Sequence, residues 1–241
     1  MRALERQLTY QEKKAEFVRS REVELTASMQ RASRRVRDLI EAFLPITDTT
    51  RVIEVGSGST GLIFFFGARL GIGLDPLAVS CAGLFPRWQR NVPTVASFGE
   101  SLPFSNGRFD VVICDNVVDH AESPATIVSE LVRILRPGGI LYFTVNVHHP
   151  LYAAAAFAHS TWNAAGVSFE IGPFADHTVH LTPSAAKQLF DGMPIRILKE
   201  RYGIVEAKER ARKLAARHLG DRLKRVFYKN ALFELIAQKN G

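Results

Sequence analysis

The sequence predicts an α/β protein, a mostly parallel sheet with helices on both faces. From Arg51 onward, short apolar runs alternate with stretches of helical spacing, the pattern of strand–helix–strand units. The first strand candidate runs straight into a glycine-rich turn, Val52-Ile-Glu-Val-Gly-Ser-Gly-Ser-Thr-Gly61, and the second ends in Asp75, nineteen positions after Gly56. In such a sheet a ligand sits beyond the carboxyl ends of the strands.

The elements follow in chain order. Met29, Ala32, Val36, Leu39/Ile40 and Phe43 step by three and four, which predicts an amphipathic helix before Pro45 with Arg31, Arg34, Arg35 and Arg37 mostly outside. Val52–Val55 and Gly71–Leu74 read as strands, Val92–Ala96 as a weaker one, then Val111–Cys114 and Ile140–Val147. Leu62–Arg69 and Leu77–Arg90 read as the intervening helices, the second interrupted by Pro86. Ser123-Pro124 places a cap residue before a Pro at the first helical position, opening a helix that runs to Leu135, ahead of Pro137-Gly138-Gly139. Beyond Val147, Leu151–Ala165 is Ala-rich and reads as helix, and Gly166–His180 as a loop or short strands. Thr182-Pro183 caps a further helix ending near Gly192. Strands Ile195–Tyr202 and Val226–Ala237 then flank a basic helix, Val205–Leu219. Residues 1–45 read as an N-terminal helical extension and 46–241 as the main domain.

With 46% hydrophobic and 23% charged residues, the composition is that of a soluble globular protein and excludes a disordered or fibrous chain. No run approaches the ~20 apolar residues of a membrane helix, and Met1–Lys14 is polar where a signal peptide would be apolar, so a cytoplasmic protein without a membrane span is expected. Cys81 and Cys114 are too few for a disulfide framework or a cysteine metal site. The net charge of +7 raises the question of a nucleic-acid partner, and its distribution answers it. Residues 1–44 carry 10 basic and 7 acidic side chains, 45–195 carry 8 and 12, and 196–241 carry 13 and 5. The excess belongs to the two ends and the middle is acidic.

Gly56, Gly58 and Gly61 match G-x-G-x-x-G, a turn that brings backbone close to a nucleotide cofactor at a helix N-terminus. Asp75 is placed to accept hydrogen bonds from both ribose hydroxyls. NAD and S-adenosylmethionine both satisfy these features. Glu54 separates them: a carboxylate two residues before the first glycine repels a pyrophosphate and suits an ammonium and a sulfonium. Here the sequence resembles the class I S-adenosylmethionine-dependent methyltransferases, the small-molecule type in particular. The resemblance rests on Glu54-Val-Gly-Ser-Gly, Gly71-Ile-Gly-Leu-Asp75-Pro76, Leu102-Pro103-Phe104, Arg108-Phe-Asp-Val-Val-Ile-Cys-Asp-Asn116 and Leu135-Arg-Pro-Gly-Gly-Ile140, in order over roughly residues 50–147.

The resemblance implies a Rossmann-like seven-stranded, mostly parallel sheet with a reversed last strand, and S-adenosyl-L-methionine as cofactor. It implies that Gly56, Ser57 and Gly58 contact the methionine and ribose, that Asp75, followed by Pro76, holds the ribose, and that Asp115 and Asn116 lie beside the sulfonium. It also implies an acceptor-binding insertion, at 148–184. The sequence departs from the family pattern twice. Thr60 stands where the tightest pattern has its third glycine. The acid that binds the adenine amino group falls on Phe98 in an ungapped match, and on Glu100, beside Ser101, if the loop is shortened.

Methyl transfer to a hydroxyl needs an oriented acceptor and a base, and histidine suits neutral pH. His148, His149, His159, His177 and His180 all follow the fifth strand, and His120 follows the fourth. His148, His149, His120 and His180 are the catalytic candidates, each with an alternative as a packing, capping or surface residue. Asp176-His177 forms a further pair with His180. The same residues offer only a weak metal pattern, without an i,i+4 helical motif, so no metal is expected. No Lys or Arg lies between Arg136 and Lys187, and a nucleic-acid acceptor would need phosphate contacts there. A small-molecule or glycan-like acceptor is therefore expected, with oligomerisation through the N-terminal helix possible. An RNA methyltransferase clamping with its basic ends, a non-catalytic cofactor-binding module and an NAD-dependent reductase are the alternatives.

Overall fold

The computed structural model describes residues 12, 14–154, 179–213 and 227–241. Seven strands form one sheet: β1 (Arg51–Val55), β2 (Leu70–Leu74), β3 (Thr94–Val95), β4 (Phe109–Asp115), β5 (Leu135–Val147), β6 (Ile195–Tyr202) and β7 (Ala231–Lys239). Their order is β3-β2-β1-β4-β5-β7-β6. All neighbours run parallel except β7, which is antiparallel to both β5 and β6. This is the Rossmann-like sheet with a reversed last strand that the sequence predicts.

Both faces of the central strands are covered, so these strands are apolar on both sides. Ile53, Val55, Val112, Cys114, Leu141 and Phe143 point into one core, whose helices are α5 (Pro124–Ile134), α6 (Pro183–Gln188) and α7 (Ile204–Lys213). Val52, Val111, Ile113, Ile140 and Tyr142 point into the other, beneath α1 (Glu22–Glu41), the single turn α2 (Ile63–Phe66) and α4 (Pro86–Gln89). The remaining helix, α3 (Ala78–Leu84), is separated from α4 at Pro86, as its sequence predicts.

The N-terminal helix lies on this second core. Its buried stripe is Met29, Ser33, Val36 and Ile40, with Ala32 left exposed. Ser33 takes a buried position because its hydroxyl donates to the Leu62 carbonyl. Arg37 likewise donates to the Phe66 and Gly67 carbonyls, at 3.0 and 3.2 Å. Those oxygens close α2, whose left-handed Gly67 stops the helix expected to reach Arg69.

Two boundaries shift for local reasons. β5 begins at Leu135, where the sequence reading continues the preceding helix. Between Phe109 and Val111 the pairing partner jumps from Leu135 to Ile140, and Pro137-Gly138-Gly139 bulges out. Gly138 has φ +73°, and a Cβ at Gly139 would come within 2.8 Å of the Asp110 carbonyl. β7 begins at Ala231, because Asn230 is left-handed at φ 54°. The helix expected over Leu151–Ala165 is described only at its start, where 150–154 are helical, and the basic helix only to Lys213. The expectations for His159, Asp176 and His177 lie outside the described residues. Among those described, no helix is long and apolar enough to cross a membrane.

The amino ends of three strands are fastened by one carboxylate. Asp110 accepts from the Arg51 backbone N–H (2.8 Å) and Nε (3.0 Å), and from Arg136 Nε. Burial alone would raise the Asp110 pKa, but the hydrogen bonds from Arg51 and Arg136 outweigh it and hold the value near about 2. With the folded pKa depressed, the stabilisation is present above the ordinary carboxylate value of about 4 and lost as pH falls towards 2. Asp110→Asn is expected to cost about 2 kcal/mol at pH 7 by urea unfolding, and less at pH 3. An equal cost at both pH values would contradict this.

Candidate active site

Sheet order reverses between β1 and β4, which opens a crevice at their carboxyl ends. Two loops line it. After β1, Gly56 and Ser57 donate to the Leu74 carbonyl at 2.7 and 3.1 Å, folding the glycine loop over the end of β2. Gly56 has φ +81°, and a Cβ there would lie 2.2 Å from Val117 Cγ2. A side chain at 56 would push the two loops apart. From outside, α4 grips the loop: Trp88 Nε1 donates to the Ser59 carbonyl (2.6 Å), and Gln89 Nε2 to Gly58 (3.0 Å) and Ser59 (3.2 Å). The sequence carries no signal for these two contacts.

Asp75 does two jobs. Its Oδ1 accepts the Leu77 N–H (2.8 Å), which turns the chain through Pro76, and its Oδ2 accepts the Gly58 N–H (3.0 Å). An ionised carboxylate has about four acceptor sites, so two remain for ribose hydroxyls. A Cβ at Gly58 would stand 3.7 Å from Asp75 Oδ2, in ordinary contact with it.

Glu54 lies under the loop and not on its ligand-facing rim. It is 2% exposed, and Oε2 accepts the Ile63 N–H at 2.8 Å, at the start of α2. A Cβ at Gly61 would stand 2.6 Å from the same oxygen. Burial, reinforced by the charges of Asp115 and Asp75, raises its pKa to about 8. Burial also raises the pKa values of Asp75 and Asp115. Ser57 turns its hydroxyl towards Gly73 of β2.

At the end of β4, Asp115 Oδ1 accepts from Thr144 Oγ1 (2.5 Å). Asn116 is left-handed at φ 57° and donates its N–H to the Thr144 carbonyl at 3.1 Å. Its side-chain oxygen accepts from Asn146 Nδ2, which also reaches Asp119 at 3.4 Å. Behind this row, Glu234 accepts from Arg35 Nη2 (2.7 and 2.8 Å) and from the Tyr142 hydroxyl (2.9 Å). This network joins α1 to β5 and β7; Arg35 is exposed, as the sequence reading sets it, but its pairing with a strand at the far end of the chain has no sequence signal.

Glu100 is half-buried and Ser101 exposed, in the loop after β3. Leu102-Pro103-Phe104 beyond them is pinned by α5: Glu130 accepts the Leu102 N–H (2.8 Å), and Arg133 donates to the Phe104 (2.7 Å) and Leu102 (3.0 Å) carbonyls.

The candidate histidines part company. His148 is fully buried; its ring centroid lies 5.1 Å from those of both Tyr152 and His180. The Val179 N–H bonds the Asp119 carbonyl (3.0 Å), and Leu181 accepts the His148 N–H (2.8 Å), so His180 is held between fixed neighbours. His149 instead packs on Phe227 and Tyr228. His120 is partly exposed, 3.9 Å from Asp119. The structure thus brings His148 and His180 together beside Asn146 and leaves His149 and His120 outside that pair.

Residues 53–143 match the family model described as a methyltransferase domain. Over these residues the chain carries a methyltransferase domain. An uncharacterized methyltransferase of Mycobacterium sp. (strain JLS) is 30% identical over 152 residues, 61% of this chain and 50% of that protein. The chain thus spans about half the length of the first curated relatives it matches. Among solved structures, geranyl diphosphate C-methyltransferase from Streptomyces coelicolor A3(2), in complex with Mg2+, geranyl diphosphate and S-adenosyl-L-homocysteine, superposes with a TM-score of 0.62 at 15% identity, over 90% of this chain and 82% of that one. The [4+2]-cyclase SpnF superposes at 0.56 and 19% identity, over 86% and 81%. At such identities the likeness concerns the fold alone, and the cyclase shows that this fold also serves other chemistry.

The methyltransferase domain's residues fit the cofactor. Asp75 keeps acceptor capacity for ribose hydroxyls beside the glycine loop, and Asp115, whose ionisation burial opposes, suits a cation at the end of β4. Glu54 also supplies a test. Its folded pKa of about 8 exceeds the ordinary value of 4.5, so stability is full below about 4.5 and declines as pH rises through 8. Urea midpoints of the ligand-free protein at pH 5 and pH 8 are expected to show this decline, and Glu54→Gln to flatten it. A wild-type midpoint independent of pH would contradict the assignment.

Proposed function

We propose that this methyltransferase domain transfers the methyl group of S-adenosylmethionine to a hydroxyl of a small-molecule or glycan-like acceptor, with His180 as the base. The observation that carries this reading is the His148–His180–Tyr152 cluster beyond the end of β5, next to Val179, whose N–H bonds the Asp119 carbonyl of the loop after β4. S-adenosylmethionine supplies the activated methyl carbon and, in its sulfur, the leaving group. The acidic crevice residues favour that cation, and Asp75 orients its ribose. On the acceptor side, His148 Nδ1 accepts the Asn230 N–H (3.4 Å), which assigns its ring proton to Nε2 and makes it a hydrogen-bond donor. His180 then takes the acceptor's proton as the oxygen's electron pair forms the C–O bond and the C–S bond breaks onto sulfur. Positioning accounts for the larger part of the acceleration.

The cation-free stretch between Arg136 and Lys187 supports a small acceptor over a nucleic acid. With methyl-labelled cofactor and a panel of small-molecule alcohols, label is expected in at least one alcohol. His180→Gln is expected to lower turnover about 10² to 10⁴-fold and leave cofactor affinity unchanged. Label appearing only in amines, or turnover unaffected by the substitution, would overturn the assignment.

A further inference from the structure

Residues 14–20 form a helical segment ahead of α1, and Ala15 and Val18 seat it in the same core as Phe85 and Trp88. Lys14, at its start, donates from Nζ to Thr60 Oγ1 at 3.0 Å. Thr60 is the residue that stands where the resembled pattern has a glycine, so the departure in the loop has a partner in the N-terminal segment. The ammonium is partly buried, and burial lowers its pKa. Its described partner is a hydroxyl, and among the described residues no carboxylate pairs with it. A desolvated cation held only by a neutral group is costly unless an anion completes it. In the cofactor assignment, the acidic side chain of Asp115 faces the cationic part of the ligand and Asp75 faces its ribose. Its methionine end also carries a carboxylate, and Lys14 is a cation that the fold sets on the glycine loop.

We infer that Lys14 binds the carboxylate of the S-adenosylmethionine methionine moiety, with Thr60 holding the ammonium in place beside the loop. The inference rests on the cofactor assignment and not on the acceptor or the base. The N-terminal segment is then part of the cofactor site, and discrimination between the cofactor and its decarboxylated form resides in one side chain.

Calorimetric titration of the whole chain with S-adenosylmethionine, S-adenosylhomocysteine and decarboxylated S-adenosylmethionine tests this without turnover. Lys14→Met is expected to weaken the first two about tenfold, typical of one charge-assisted contact, and to leave the decarboxylated compound unchanged. Lys14→Arg is expected to restore most of the loss. Unchanged affinity for the decarboxylated compound also shows that the variant is folded. Equal weakening of all three ligands, or no weakening of any, would overturn the inference. Failure of the wild type to bind any of them would overturn it together with the cofactor assignment, whereas binding without alcohol methylation would leave it standing.

Discussion

The active end of this molecule depends on a buried carboxylate at the end of its first strand. Glu54 takes its hydrogen bond from Ile63, at the first turn after the glycine loop, and so fixes both ends of that loop. Gly61 must lack a side chain because the carboxylate lies against it, and Gly56 because Val117 crosses above. Once the loop is held there, Asp75 closes the far side through Gly58. The cost is a carboxylate out of water near Asp75 and Asp115. That burial raises its pKa to about 8.

The positive charge takes on a different meaning in the structure. Arg35 is bound to Glu234, Arg51 and Arg136 to Asp110, Arg133 to Glu130, and Lys187 to Glu200. Of these, only Arg35 belongs to the basic ends, where it fastens α1 to β7; the others hold the motif loop, the strand ends and α6 within the acidic middle. Arg35 reaches across from helix to sheet, so the N-terminal helix helps to hold Glu234 and, through it, the electrostatics of Asp115.

The sheet was legible because its strands are short apolar runs separated by glycines and prolines whose roles are local. Asp75 and the glycine loop were legible because spacing along the chain determines where they meet. What sequence could not reveal are the contacts between distant segments. Ser33 reads as a polar helix residue, and only the Leu62 carbonyl makes it an interior one; Arg35 stays exposed, and its partner Glu234 lies at the other end of the chain. Trp88 and Gln89 read as the end of an interrupted helix, although their hydrogen bonds hold the loop. The four histidines were indistinguishable in the sequence, because the backbone contacts at Val179, Leu181 and Asn230 decide which of them meet.

The central claim is that Glu54 is a buried carboxyl beneath the glycine loop whose pKa is raised by that burial. Infrared titration of its carboxyl band, read as the difference between wild type and Glu54→Gln, measures this directly. The account predicts a protonated-carboxyl band that persists well above the ordinary carboxylate range and is missing from the variant. A Glu54 carboxyl that titrates at the ordinary glutamate value would contradict it.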